Sequence, residues 1–416
     1  MYKILSIKIN NFWHKFNAYC DFNDDVNIII GRNGTGKTTF MNILHSVLSV
    51  DIDGINNNNF DSVEIKLVNN NKIKTIKAKK IEDDSLPFLV VEYQISKSKY
   101  RVRIISSDDR RLSPVYRRRA IEESEVVRNQ LAELVSLSSL SVYRLRNGQD
   151  YEIRDKNGPR AIAPVDFRLS ELLQELTHYQ LDLSQKAREI ASRLQKDVLA
   201  SILYDKEDSG DTVYAIEYNK DNERLNLIGA YSRLNAIDAD VRKKINFHVT
   251  AIDETVTKIK DRDTKDIDFR SLEALRKTQK IIKMSLVAEE ETSKIFSQVS
   301  LFLKILKDFI PDKTFDFDGG ILKISNSNDP INYGELSSGE KQLLILFIET
   351  LLQRQQPFVF LTDEPELSLH IAWQRKIIPA IKNINPNAQV IAATHSPEIA
   401  SRYGDAIFNM EKLICG

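Results

Sequence analysis

Residues 31–38 read Gly31-Arg32-Asn33-Gly34-Thr35-Gly36-Lys37-Thr38, with Thr39 next. The pattern GxxxxGK[ST] suits the cradling of phosphate oxygens. Its glycines let successive backbone N–H groups curl around an anion, and a helix N-terminus adds partial positive charge. Lys37 is expected to reach the β- and γ-phosphates of a nucleotide, and the Thr38 hydroxyl to bind Mg²⁺. Far along the chain, Phe358-Val359-Phe360-Leu361-Thr362-Asp363-Glu364 is an apolar run closed by two acids, with Thr362 as its polar exception. At the C-terminal end of a parallel strand these acids would sit beside the phosphate loop. Asp363 then suits the Mg²⁺ shell, and Glu364 can polarise an attacking water. Thr394-His395-Ser396-Pro397 follows another short apolar run, Val390 to Ala393.

These groups need elements to hold them. Ile4, Ile7 and Ile9 lie in an alternating, strand-like stretch, and Val26 to Ile30 is an apolar run ending at Gly31. Phe40, Ile43, Leu44 and Leu48 then fall on one side of a helix over Thr38 to Val50. Gly54 to Asp61 reads as loop, and four alternating runs between Val63 and Ile105 predict an antiparallel β layer. Arg110, Arg111, Arg117, Arg118 and Arg119 cluster around Pro114, as a solvated loop or helix start, or as a phosphate- or protein-binding patch. Leu137 to Leu145 reads as a strand and Asn147 to Pro164 as loop. Helical spacing predicts helices over Leu169–Leu203, Leu234–Lys260 and Phe269–Ile310, with a strand-like break at Thr212 to Tyr218. The long helices would span roughly 50–60 Å. After Pro311, strands return at Phe315–Phe317 and Ile321–Ile324, and the last 85 residues alternate helix and strand, which implies parallel strands with crossover helices.

Lys+Arg and Asp+Glu both number 59, so no whole-molecule basic field exists to gather nucleic acid. Cys20 and Cys415 form no CxxC pair, which argues against a cysteine-built zinc site and a disulfide framework. No apolar run approaches a membrane span, and no signal-peptide core opens the chain. A cytoplasmic protein is expected.

Leu336-Ser337-Ser338-Gly339-Glu340-Lys341-Gln342, just before the acidic strand, resembles the ABC signature. The resemblance implies an α/β fold: an ABC-type ATPase head (a P-loop sheet plus an antiparallel β layer) interrupted by an α-helical, coiled-coil insertion. Residues 1–150 and 311–416 would form the two halves of the head, and 165–310 the insertion. It implies that Ser337 and the backbone near Gly339 contact the γ-phosphate held by a second copy, that His395 touches the same phosphate, and that Glu364 and His395 are catalytic. Pro365 to His370 resembles the loop that touches the partner head. Gln94, Gln130 and Gln149 are all candidates for the Mg²⁺-sensing glutamine of such heads. Phe12-Trp13-His14-Lys15 offers an adenine contact, although a core role is expected for Phe12 and Trp13.

The stretch between phosphate loop and signature is longer than in transporter heads and resembles the SMC, Rad50, RecF and OLD group. The insertion is short for Rad50-like arms and has no zinc hook. Only 21 residues follow His395, so a fused Toprim nuclease is not expected. The chain is therefore most similar to the stand-alone OLD-like ATPases of bacterial anti-phage systems, first those of the PARIS type and next those of Septu. That implies an ATP- and Mg²⁺-using homo-oligomeric sensor or scaffold, a separate nuclease or Toprim effector, and a phage-derived trigger. The alternative is a RecF- or Rad50-like repair ATPase that clamps DNA through Arg110, Arg111, Arg117, Arg118 and Arg119.

Overall fold

The computed structural model describes residues 1–81, 88–105, 114–139, 151–155, 158–201, 218–234, 236–261, 269–326, 329–365 and 370–415. The chain forms two compact units, Met1–Leu176 with Leu301–Gly416, and Thr177–Ser300.

In the first unit, β1 (Lys3–Phe12), β2 (Phe16–Asp21) and β3 (Val26–Ile30) lead into α1 (Lys37–Ser49) and a short α2 (Ile52–Asn57). Then come β4 (Ser62–Asn69), β5 (Lys72–Ile81), β6 (Leu89–Ile95), β7 (Ser98–Ile104), α3 (Pro114–Ala132), β8 (Leu137–Ser139) and the hairpin β9 (Tyr151–Asp155) and β10 (Gly158–Ile162). Helix α4 (Pro164–Ala200) starts in this unit and ends in the other. After α5 (Lys220–Arg233) and α6 (Ala239–Lys260), helix α7 (Phe269–Phe309) makes the return crossing. The first unit then resumes with β11 (Thr314–Asp318), β12 (Ile321–Asn326), β13 (Asp329–Pro330), α8 (Ser338–Leu352), β14 (Val359–Asp363), α9 (Ile371–Ile384) and β15 (Gln389–Ala393). It closes with α10 (Pro397–Ala400), β16 (Ile407–Asn409), α11 (Met410–Leu413) and β17 (Ile414–Cys415).

Among the described residues, the antiparallel sheet has the order β17-β2-β1-β4-β5-β6-β7. The second large sheet is parallel and has the order β16-β3-β15-β14-β8. Strands β3, β14 and β15 are buried almost throughout, as parallel strands covered on both faces must be. One apolar core joins α1 to both sheets, through Phe40, Leu44 and Val47 of the helix, Ile7 and Ile65 of one sheet, and Leu361 and Ile391 of the other. Ile4 and Ile7 both point into this core although they are three residues apart. A bulge at Leu5 explains it: the pairing jumps from Ile4↔Leu67 to Ser6↔Lys66, which restores the shared face. Gln389 pins the bulge to β15, its Oε1 accepting from Ile4 N and its Nε2 donating to Ile4 O, both at 2.7 Å.

In the second unit, Leu227 of α5, Ile245 and Val249 of α6, and Ile282 of α7 pack together. Asn219 and Asp238 cap α5 and α6 through their side chains.

Several expectations need correction. Gly54 to Asn57, expected as part of a loop, belong to α2. Helix α3 went unforeseen because it is so charged that only Ala120, Ser124, Val127 and Leu131 mark its buried face. Tyr151 to Ile162 forms a hairpin rather than loop. The helix expected over Leu234–Lys260 starts at Ala239, and α5 (Lys220–Arg233), before it, was not foreseen. The strand-like break at Thr212 to Tyr218 lies outside the described residues except for Tyr218, which is in no strand, and 140–145 lie outside them too. The pairing of β16 with β3 and of β17 with β2 was also not foreseen.

Candidate active site

The phosphate loop joins β3 to α1. Gly34 and Gly36 adopt φ +80° and +93°, which side chains resist. A Cβ at Gly36 would meet the Phe12 and Trp13 rings at 2.9 Å, so glycine is required there for space as well. Lys37 Nζ donates to the Gly31 and Arg32 carbonyls at 2.9 and 3.1 Å, which holds the ammonium against the loop. Arg32, Asn33, Gly34 and Thr38 are exposed, Thr35 and Thr39 half-buried. Helix α1 has no side-chain cap and no acid in its first turn, so its partial positive charge is left for an anion.

Parallel pairing brings the other groups to the same end of the sheet. Asp363 ends β14 opposite Ala393, and Ala393 lies opposite Ile29 of β3. Glu364 turns into the left-handed region (φ 48°), a conformation that costs a non-glycine residue about 1 kcal/mol. Its N–H donates to Ala393 O at 2.7 Å, and Thr394 N–H donates to Ile29 O at 3.1 Å. These bonds stitch the three strand ends together. Glu364 Oε1 consequently lies 3.8 Å from His395 Nε2, with the two side chains 28% and 36% exposed. A carboxylate and an imidazole beside a phosphate loop can order a water and meet a terminal phosphate.

The signature turn caps α8. Ser337 Oγ accepts from Glu340 N, and Glu340 Oε2 accepts from Ser337 N at 2.8 Å, a reciprocal capping box. Burial opposes the charge on Glu340, but the Lys313 ammonium and the Ser337 bonds hold its carboxyl below the usual range. Gly339 is buried and Ser337 exposed, and among the described residues Ser337 bonds only within its own turn. The structure thus brings the phosphate loop, Asp363, Glu364 and His395 together, whereas no hydrogen bond joins Ser337 to them.

The donor set suits ATP with Mg²⁺. Among the described residues no group of three or more His, Cys, Asp or Glu gathers as a self-sufficient metal site. A Thr38 hydroxyl with an Asp363 carboxylate is the sparse oxygen set that Mg²⁺ accepts when phosphates complete its shell.

Other expectations fare unevenly. Phe12 is buried as expected, but Trp13 is 37% exposed. Left-handed Asn11 near the end of β1, with left-handed Trp13 and His14 in the turn after it, carries the indole out, stacked on Phe12 at 4.9 Å. Gln94 lies in β6 with its amide donating to Ser96 O, Gln130 is exposed on α3, and Gln149 lies outside the described residues. So do Arg110, Arg111, the Arg117 side chain and residues 366–369 of the loop after the acidic pair. Arg118 and Arg119 are exposed, and Arg118 pairs with Glu122. Sequence reasoning missed Lys313 and the pair of half-buried Arg168 with buried Glu349 (2.8 Å), whose carboxylate Ser138 also bonds at 2.7 Å. No local pattern marks such long-range partners.

The AAA ATPase domain family (AAA_15) matches residues 2–400. The chain belongs to this family. It is an ATPase, with related proteins among named ATPases. It is 35% identical over 103 residues to the Septu protein PtuA of Bacillus thuringiensis, covering 22% of this chain and 25% of that protein. It is 35% identical over 89 residues to the retron Ec83 probable ATPase of Escherichia coli, covering 19% and 16%. The matched stretches thus span a quarter or less of these relatives' lengths. Among solved structures, an Smc head domain from Pyrococcus furiosus, with an extended coiled coil and bound to the C-terminal domain of ScpA, aligns with a TM-score of 0.43 at 13% identity. That alignment covers 96% of this chain and 92% of the other. No helix among the described residues is long and apolar enough to cross a membrane.

Proposed function

We propose that this ATPase works as paired heads in a bacterial anti-phage system, as an oligomeric scaffold that controls a separate nuclease or Toprim effector. The observation that carries the pairing is the division of the site. Glu364 and His395 meet beside the phosphate loop of one chain, while Ser337 is exposed and, among the described residues, its side chain bonds only within its own turn. A helix N-terminus that carries an exposed serine hydroxyl suits an anion presented by a second copy. In this reading residues 31–39 and Lys37 bind the ATP phosphates, and Glu364 polarises the attacking water. His395, with Ser337 and Gly339 of a second copy, contacts the γ-phosphate. Mg²⁺, held by Thr38 and Asp363, would neutralise charge on the phosphate oxygens. Residues 1–150 and 311–416 serve as the head and 165–310 as the insertion.

The similarity to the Septu and retron proteins supports a defence role. The short insertion favours a PARIS-type ATPase, and the Septu match the sibling type. A phage-derived trigger and a cytoplasmic site of action belong to the same reading. Glu364→Gln tests the core of it. Its turnover should fall by about a hundredfold or more, and ATP should drive it into a larger species in sedimentation. Wild-type turnover, or ATP-independent sedimentation, would sink the paired-head assignment. Co-purification with the neighbouring gene product tests the effector role, and failure to associate counts against it.

A second reading, DNA clamping, draws on the outer face of the antiparallel sheet. Strand register aligns Tyr19, Lys8, Glu64, Lys77, Gln94 and Lys99 in one row, and Ser62, Lys79, Glu92 and Arg101 in the next. Lys8, Lys66 and Lys79 are exposed and make no ion pair among the described residues. The first row spans about 24 Å at ~4.8 Å per strand, and the three exposed lysines of this face suit a phosphate backbone.

A further inference from the structure

The imidazole of His395, 36% exposed, is carried on the turn that follows β15. That turn is pinned on both sides. Thr394 is fully buried and tied to β3 through its N–H, and its Oγ1 accepts from Ser396 N at 2.9 Å. Ser396 is buried, and its Oγ donates to Gln374 Oε1 at 2.7 Å. Gln374 belongs to the first turn of α9, whose N-cap, His370, accepts from Ala372 N. Arg375, the next residue, forms an ion pair with Glu398 of α10. Two adjacent residues at the start of α9 therefore grip the segment after β15.

We infer that Gln374 is a positioning residue for hydrolysis, which sets the direction of His395 by holding the Ser396 hydroxyl. The inference rests on the proposed role of His395 at the γ-phosphate. Gln374 lies at the start of α9, the helix that follows the acidic pair in sequence, and ties the histidine turn to that helix start. Sequence spacing hides this link: Gln374 and Ser396 lie 22 positions apart, and Gln374 belongs to no motif.

The part of Gln374 that matters is its acceptor oxygen. Gln374→Met keeps the length and removes the acceptor, whereas Ser396→Ala removes the donor. Each should lower kcat for ATP about five- to tenfold, the worth of one neutral hydrogen bond, with KM within about twofold. The double variant should be no worse than either single one, because both remove the same bond. Ser396→Thr keeps the hydroxyl and should recover most of the turnover that Ser396→Ala loses. Thermal unfolding of each variant confirms that it is folded, and Ser396→Ala serves if Gln374→Met is not. Unchanged kcat, additive losses, or a change confined to KM would overturn the inference. His395→Ala separates the two levels. If it is impaired while Gln374→Met and Ser396→Ala are not, the positioning role fails; if it turns over ATP like the wild type, the reading of His395 itself fails.

Discussion

At the residue scale, Lys37 and Glu364 illustrate two kinds of placement. Lys37 follows two left-handed glycines and has a ready place against the Gly31 and Arg32 carbonyls. ATP phosphates offer it a charged partner in exchange for those neutral oxygens, and charge-assisted bonds are the stronger. Lys37→Ala should therefore weaken ATP binding about thirtyfold or more, a loss of about 2 kcal/mol. Titration with a fluorescent nucleotide would read it, and unchanged affinity would remove Lys37 from the phosphate site. Glu364 depends on a strained backbone instead. Its left-handed φ is held by the bond from its N–H to Ala393 O, so its carboxylate faces His395 only while β14 and β15 stay paired.

At the scale of elements, two ion pairs with buried carboxylates anchor α8, the helix that opens with the signature. Arg168, near the start of α4, bonds Glu349, whose carboxyl burial pushes up while the arginine pulls it down. Breaking one side of such a pair leaves an uncompensated charge. Arg168→Met should cost about 3 kcal/mol in urea unfolding, and the double replacement Arg168→Met/Glu349→Met should recover much of it. A loss of less than half a kcal/mol for the single variant would mean that the pair is idle. Lys313 and Glu340 make the second anchor. Because the folded Glu340 carboxyl titrates below its usual value, its contribution is complete above about pH 4.5 and is lost as pH falls through the folded value. Glu340→Gln should thus be less stable near neutrality and should show a shallower decline below about pH 4.5. Parallel acid limbs in the two proteins would contradict this.

At the scale of the whole molecule, zero net charge conceals local order. The chain balances 59 cations with 59 carboxylates, yet the outer face of the antiparallel sheet carries Lys8, Lys66 and Lys79 without ion-pair partners among the described residues. If this face binds DNA, the triple change Lys8→Glu/Lys66→Glu/Lys79→Glu should weaken binding across sequences. It should also lower the dependence of log K on log salt by about 2–3. Fluorescence anisotropy over a salt series checks it, and an unaltered slope would leave the DNA reading without its surface. Neither outcome touches the ATPase assignment, which stands on the family match over residues 2–400.

Local chemistry was legible before any fold was known. The glycine spacing before Lys37, the apolar run ending at Asp363 and Glu364, and the long helical periodicities are properties of short windows, and the backbone answers them directly. The charged helix α3 and the hairpin of Tyr151 to Ile162 were not legible, because neither carries enough apolar periodicity to announce itself. Only the tertiary structure decided which distant residues meet. Parallel pairing sets Glu364 beside His395, a bulge turns Ile4 to the face of Ile7, and Gln374 reaches Ser396 across 22 positions. Spacing along a chain governs contacts within one turn or one strand. Contacts between elements depend on register and packing, which the whole sequence determines together.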